Sequence, residues 1–420
     1  MANALITDRA IVAEMIRSIH NRSALLKRVN RDYQDQFANR GAKVGSTINI
    51  RKPAQFTVRS GPVANIQDVT ETTVPMTIQP EIGIDFAFSD YDLALTIDKF
   101  SERYIQPAAK KLASAIDVKI VTAMMAATGQ SVGTPGTPPA STQAAQKLVL
   151  DAGVVLTNQG ADMMDRMMVT TPAAEANLLQ YLNLGFNSQR RIGEQYEQGS
   201  LDVGAQVLGF EWASSPNMGV QTVGPLGGTP IVNGANQGLT NSGATDNPAG
   251  STTSLVTSGW TAAAAARVVA GDTFTIAGVF AVNPETKATT GTLQQFVVTA
   301  NASSDGAGNA TLVISPAIVA GGAFQNVTAR PANSAALTFV GTANTGYSQS
   351  VAFVKDAFTF ATVDLELPNG MDMAARANAD GLSMRFVRGF DITNNRRISR
   401  FDILAGWAAV RPEWAVRVYA

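Results

Sequence analysis

The sequence predicts an α+β host interrupted by an all-β insert, and three observations carry that expectation. Residues 101–128 are a run of helix formers that keeps one apolar stripe. Between Ile82 and Phe88, apolar residues alternate with Gly83, Asp85 and Ala87 at the period of two expected of a strand. Across residues 221–348 charge nearly vanishes, and short strand-like runs follow one another between turns.

Composition narrows the function classes. A chain of 420 residues has room for two or three domains and a sizeable core. Lys and Arg number 32 against 33 Asp and Glu, a net charge of -1, which argues against a general polyanion binder and leaves local basic patches open. Only 15% of residues are charged, well below the usual level of about 25%. Either partners cover much of this surface, or it is built of Thr, Ser, Asn and Gln. With no cysteine, disulfides, thiolate chemistry and Cys-ligated zinc are excluded. Asp8, Arg9, Glu14 and Arg17 interrupt the N-terminal apolar pattern, so it predicts an amphipathic helix in place of a signal peptide. No uncharged apolar run approaches the ~20 residues of a membrane span. Cytoplasmic synthesis is the expectation.

In chain order, Thr7 or Asp8 can cap a first helix whose apolar face is Ile11, Met15, Ile16 and Ile19. Arg17, Arg22, Lys27, Arg28 and Arg31 follow with almost no acidic answer. They fit a solvated helix face or an arm that meets an acidic partner or nucleic acid. Two long strands come next, out through Ile48, Ile50, Phe56 and Val58 and back through Val74, Met76, Ile78, Ile82, Ile84, Phe86 and Phe88. A two-stranded ribbon is marginal by itself. The prediction is a projecting hairpin whose poorly packed tip rests on a neighbouring subunit.

The long helix has Ile105, Ala108, Leu112, Ile116, Ile120 and Met124 on its stripe, with Lys110, Lys111, Asp117 and Lys119 mostly off it. Pro107 suits a first turn and Gly129 a C-terminal stop. If helical throughout, it is a rod of about 40 Å. Residues 142–184 read as helical again, with Met163, Met164, Met167 and Met168 as core or interface filler. Thr171 and Pro172 open a short helix there. Arg190, Arg191, Glu194 and Glu197 suggest a solvated loop.

Within residues 221–348 the charged side chains are Asp246, Arg267, Asp272, Glu285, Lys287, Asp305 and Arg330. Strand candidates are 273–276, 279–282, 295–299, 311–315 and 337–340, a spacing that suggests a small barrel or sandwich inserted where two loop ends lie close together. The run Asp305-Gly306-Ala307-Gly308-Asn309 reads as a hairpin turn, with only a superficial likeness to a calcium loop. The host resumes after Ser350 and closes with strands at 385–392 and 398–410 around a turn at Asn394 and Asn395.

The closing stretch reads Gly406-Trp407, then Arg411-Pro412-Glu413, then Ala415-Val416-Arg417-Val418. Preceded by an arm, a long hairpin and a spine helix, it resembles the major coat protein of tailed double-stranded-DNA bacteriophages. In the insert, Gly271-Asp272, Ile276-Ala277-Gly278-Val279, Phe296-Val297-Val298 and Leu312-Val313-Ile314-Ser315-Pro316 resemble the inserted barrel of the short-tailed Salmonella-type phages. That resemblance implies a tailed-phage capsid fold. Its parts would be an N-terminal arm (1–43), an extended hairpin (44–89), a spine helix (101–128) and an axial and peripheral region (142–220). An inserted β-barrel (221–348) and the second part of the core (349–420) would follow.

The resemblance also implies a shell subunit that co-assembles with a scaffolding protein into hexamers and pentamers. Double-stranded DNA would be packaged through a portal protein and enclosed without sequence-specific binding. The chain would need no cofactor and no membrane. Low charge and projecting elements suit a subunit with many neighbours. Arg51, Lys52 and Arg59 on the hairpin are the candidate inter-subunit contacts, facing acidic groups of a neighbour. No catalytic or metal residue is assigned. His20 is the only histidine and sits at helical spacing beside Ile16 and Ile19, and no P-loop, nucleophile elbow or zinc motif occurs. The pairs Asp90 and Asp92, or Asp162 and Asp165, offer too few oxygens for a cation. The competing expectations are a Thr- and Gly-rich virion decoration or adhesin, and a hydrolase with an unrecognised carboxylate site.

Overall fold

The computed structural model describes residues 8–32, 46–56, 58, 61–63, 66, 71–89, 106–182, 206–237, 253–379 and 382–420. The first host stretch forms α1 (Asp8–Arg22), β1 (Thr47–Arg51), β2 (Thr73–Thr77), β3 (Ile82–Ser89) and α2 (Gln106–Ala127). It continues with β4 (Gln130–Val132), α3 (Thr142–Asn158), β5 (Arg166–Thr170), α4 (Pro172–Leu182) and β6 (Glu211–Ser214). The following stretch forms β7 (Val220–Thr222), β8 (Ile231–Val232), β9 (Thr253–Ser258), β10 (Ala265–Val268) and β11 (Thr273–Val282). To these it adds β12 (Thr289–Val298), β13 (Ala302–Ser304), β14 (Ala310–Ser315), β15 (Leu337–Phe339) and β16 (Gly346–Ser348). The chain ends with β17 (Ser350–Val354), β18 (Phe358–Val363), β19 (Met373–Ala379), β20 (Leu382–Asp391), β21 (Arg396–Ala409) and β22 (Ala415–Val418).

These elements form two compact units: residues 1–50, 75–120 and 358–408, and residues 51–74, 121–357 and 409–420. In the first unit a sheet runs β18-β21-β20-β19, and β3 pairs with the other edge of the long β21. The return limb of the hairpin is therefore two strands and not one. β2 stays with β1, whereas β3 leaves to pair Ile84 with Phe401 and Phe86 with Ser399. Burial explains the departure. The Phe86 ring lies 5.9 Å from that of Phe401, which stacks on Phe386 at 4.7 Å.

α1 packs on β19 and β20 through Val12, Met15, Ile16 and Ile19, all fully buried. The chain after it is tied to the edge of β18. Asn30 donates its N–H to the carbonyl of Phe358 at 3.0 Å and accepts from the N–H of Phe360 at 2.9 Å. Asp117 departs from the expected polar face of α2. It is 1% exposed and accepts a 2.5 Å hydrogen bond from the Ser23 hydroxyl. A carboxylate can occupy such a place only with hydrogen-bond donors to hold it.

In the second unit the sheet order is β4-β22-β17-β5-β6. Leu148, Val149 and Leu156 of α3, with Leu178 of α4, share a core with Phe210, Trp212 and Met168. Here the expectation of helix over residues 142–184 fails in part, because β5 lies between the two helices. All five of its residues are buried, so it shows no period of two by which to recognise a strand. The methionines divide accordingly. Met167 and Met168 sit in the sheet core, while Met163 and Met164 are exposed. Thr171 accepts from the N–H of Ala174 at 3.3 Å, as the expected cap of α4 should.

The insert is a nearly closed barrel. Six strands run β15-β11-β12-β14-β9-β8. The ends meet where Leu337 donates to the carbonyl of Pro230 at 3.0 Å and Val232 to that of Ala335 at 2.9 Å. Phe274, Ile276, Phe296, Val298, Leu312 and Ile314 fill it. The two strands expected at 273–276 and 279–282 are one, β11, whose register with β12 shifts around Gly278 at φ +80°. The Asp305 run is a turn: its carboxylate accepts from the N–H groups of Ala307 at 2.9 Å and Asn309 at 2.8 Å.

Candidate assembly surfaces

The hairpin starts as a regular antiparallel ladder and then runs out of apolar partners. Ile48, Ile50 and Met76 are buried at its base, where the hydroxyls of Thr47 and Thr77 lie 3.0 Å apart. Lys52 still donates its backbone N–H to Thr72 at 2.8 Å. Beyond it Phe56, Val58, Val63 and Ile66 are 60%, 99%, 81% and 93% exposed. An isolated exposed side chain is unremarkable, but four large apolar ones between residues 56 and 66 offer area that association can bury.

The C-terminal segment meets that limb at Lys52. The Arg411 guanidinium stacks 4.0 Å above the Trp414 ring, and Trp414 donates its indole N–H to the carbonyl of Gln159 at 3.2 Å. Glu413, between them, lies 3.7 Å from the Lys52 ammonium.

A second constellation lies where the insert meets the host sheet. Its entry and exit strands pair, Gln221 with Tyr347 and Thr222 with Gly346. Beside them Arg417 of β22 is buried and donates to the carbonyls of Gly271, at 2.7 Å, and Met125. Burial pushes its guanidinium below the ordinary arginine value, against the opposing pull of Tyr419 and Asp272. The Asp272 carboxylate accepts from the N–H groups of Val269, at 2.8 Å, and Gly224, at 3.1 Å. Burial nonetheless raises its pKa, because removing the charge from water outweighs those amides. A third tie is the Gln295 amide. It accepts from both the N–H and the hydroxyl of Ser131 and returns a 3.1 Å bond to the Ser131 carbonyl.

A family model for the P22 coat protein, gene protein 5, matches residues 1–418. The chain belongs to the P22 coat protein family. It is a major capsid protein, a structural subunit of an icosahedral phage shell and not an enzyme, with the tailed-phage capsid fold and a barrel set into it. Among solved structures it is similar to the CUS-3 coat protein I-domain at 31% identity over 27% of this chain and 96% of that one, with a TM-score of 0.19. A structure from Mycobacterium phage Che8 is 14% identical over 94% and 89% of the two chains, with a TM-score of 0.47. The capsid of Cyanophage P-SCSP1u is 11% identical over 90% and 84%, with a TM-score of 0.42. No curated protein matches the sequence. The assignment rests on the family model.

In this coat protein two of the three expected contact residues have partners within their own chain. Arg51 lies 3.3 Å from Glu71, with both side chains largely exposed, and Lys52 is paired with Glu413. Arg59 lies outside the described residues, as do Arg190, Arg191, Glu194, Glu197, Asp90 and Asp92. Sequence reasoning chose charges. Among the described residues of the limb the large exposed side chains include the apolar Phe56, Val58, Val63 and Ile66, which the sequence displayed as an apolar run within a stretch of few anchors.

Proposed function

We propose that this coat protein co-assembles with an internal scaffolding protein into a procapsid of hexamers and pentamers, and that double-stranded DNA is then packaged through a portal into the finished shell. Synthesis and assembly take place in the bacterial host cytoplasm. The extended hairpin, residues 44–89, lies on a neighbouring subunit. The insert, residues 221–348, is a separate domain between two parts of the capsid core, residues 1–220 and 349–420. Arg51, Lys52 and Arg59 contribute contacts to the neighbour around the apolar tip, with the exposed Arg51 free to exchange Glu71 for an acid of the adjoining chain.

The observation that carries this reading is the limb with four exposed apolar side chains on a chain of a coat family. Heterologous contacts that close into rings need such complementary patches on different sides of one molecule. The test is negative-stain microscopy of the protein expressed in bacteria with and without its phage's scaffolding protein. Closed shells with the scaffold, and aberrant spirals without it, are expected. A homogeneous small particle under both conditions would overturn the reading in favour of a decoration protein. Charge reversal at Arg59 with undiminished assembly would remove that residue from the contact.

A further inference from the structure

The bond between Ser23 and Asp117 also determines where positive charge collects. It joins the chain that follows α1 to the flank of α2, within one compact unit. Asp117 is the only acid in α2, and it is buried, so the outward side of that helix carries Lys110, Lys111 and Lys119 with no acid among them. Arg22 and Lys27, exposed on the joined segment, extend the same charge, while the arm's acids are Asp8, Glu14, Asp32 and Asp35, of which Glu14 and Asp32 are exposed among the described residues. None of these five cations makes an ion pair among the described residues.

We propose that this cationic arc, Arg22 and Lys27 of the arm with Lys110, Lys111 and Lys119 of α2, binds the phosphodiester backbone of the DNA held inside the shell. The inference rests on the coat reading, which supplies the enclosed DNA. Charge complementarity selects the ligand. A duplex carries one negative charge per ~1.7 Å of its axis, and Lys111 and Lys119 stand eight residues apart, about 12 Å along the helix, so the arc spans several phosphates. A protein partner would want apolar or aromatic anchors at its centre. Between the lysines α2 offers only Ala115 and Val118, the latter 45% exposed. Among the described residues the five side chains of the arc include no aromatic ring on which an unpaired base could stack. Backbone binding without sequence preference is what remains.

The test is fluorescence anisotropy of a short duplex of arbitrary sequence, titrated with unassembled full-length protein across a salt series. Wild type should bind with an affinity that falls linearly in log[salt]. The double variant Lys111→Gln/Lys119→Gln should reduce that slope by about 1.8, since each neutralised phosphate contributes roughly 0.9. Lys27→Gln repeats the test off the helix and should remove roughly half as much. Both variants should form shells with scaffolding protein as wild type does. No binding by wild type, an unchanged slope in the variants, or equally tight binding of polyglutamate at matched charge would overturn the proposal, the last in favour of an acidic protein partner. Soluble variants that fail to form shells would overturn it in favour of a subunit contact. Failure of wild type itself to form shells would instead sink the coat reading.

Discussion

Arg417 donates to the carbonyl of Gly271 at 2.7 Å although 146 residues separate them. One belongs to the last strand of the host sheet and the other to the turn that opens β11 of the barrel. The same guanidinium reaches the carbonyl of Met125 near the end of α2, so three distant segments of one unit meet on a single cation. A fully buried arginine is unfavourable unless carbonyls and an acid surround it. Here the surroundings are two carbonyls, Tyr419 and Asp272.

Replacing Arg417 with Ala should therefore destabilise the protein by about 3 kcal/mol or more, since it empties a large buried volume and strands the carbonyls of Gly271 and Met125. Arg417→Met should be milder, because it restores apolar packing and loses only the hydrogen bonds. Urea denaturation of both variants checks the order. Equal midpoints for Ala and wild type would show that the cation holds nothing together.

The pH dependence of Asp272 has an unusual sign. Burial raises its pKa in the folded state above the ordinary 3.8, so the native protein binds this proton more tightly than the unfolded chain. Its contribution to stability must fall as pH rises from the ordinary carboxylate value through the raised one. Asp272→Asn should remove that slope, and the gap between variant and wild-type urea midpoints should change across this window and stay constant above it. A gap that ignores pH would rule the mechanism out.

What the sequence made legible follows from how each element is buried. β3 alternates because one face is covered, so Ile82, Ile84 and Phe86 announced a strand. Its partner could not be read, since the pairing with β21 spans more than three hundred residues and depends on the rings of Phe401 and Phe386. β5 was hidden for the opposite reason: covered on both sides, its residues Arg166, Met167, Met168, Val169 and Thr170 carry no period. The barrel was legible because short strand-like runs alternate with turns where charge is scarce, although its closure between Pro230 and Leu337 was not. Among site residues, Arg51 and Lys52 were visible as charges but not their own-chain partners Glu71 and Glu413. Asp117 looked solvated because helical spacing cannot say which turn a distant hydroxyl will cover.

Ser23→Ala should loosen the chain after α1. The substitution takes the short hydroxyl bond from a carboxylate that is 1% exposed. Losing a donor to a buried charge costs about 1.5–3 kcal/mol. Amide exchange in residues 23–32 should accelerate selectively, with Asn30 and its neighbours affected and the barrel strands unchanged. Uniform exchange rates in wild type and variant would show that the bond does not secure this segment.

Gln295→Leu should weaken the seating of the barrel on the host sheet while leaving the barrel folded. Its amide makes three hydrogen bonds to Ser131 and has no role in the barrel core. A loss of about 1–3 kcal/mol is expected, since the Ser131 backbone is left partly unpaired. Residues 221–348 expressed alone should still melt cooperatively, with or without the substitution, because the closing bonds lie at Pro230, Val232, Ala335 and Leu337. An isolated insert without a cooperative transition would mean that the host sheet is needed to complete it.

The exposed limb separates folding from assembly most cleanly. Val58 is 99% exposed and Ile66 93%, so an aspartate at either place meets water in the monomer and should change stability by no more than about 0.5 kcal/mol. In a shell the same carboxylate would be pressed into an apolar contact without a partner. That penalty exceeds about 1.4 kcal/mol per subunit contact, enough for a tenfold loss of affinity at each of many interfaces. Val58→Asp and Ile66→Asp should therefore remain soluble with a wild-type melting temperature and fail to yield shells with scaffolding protein. Val58→Leu, which keeps the surface apolar, should assemble. Normal shells from both aspartate variants would show that the tip faces solvent in the assembled particle and that the neighbour is gripped elsewhere.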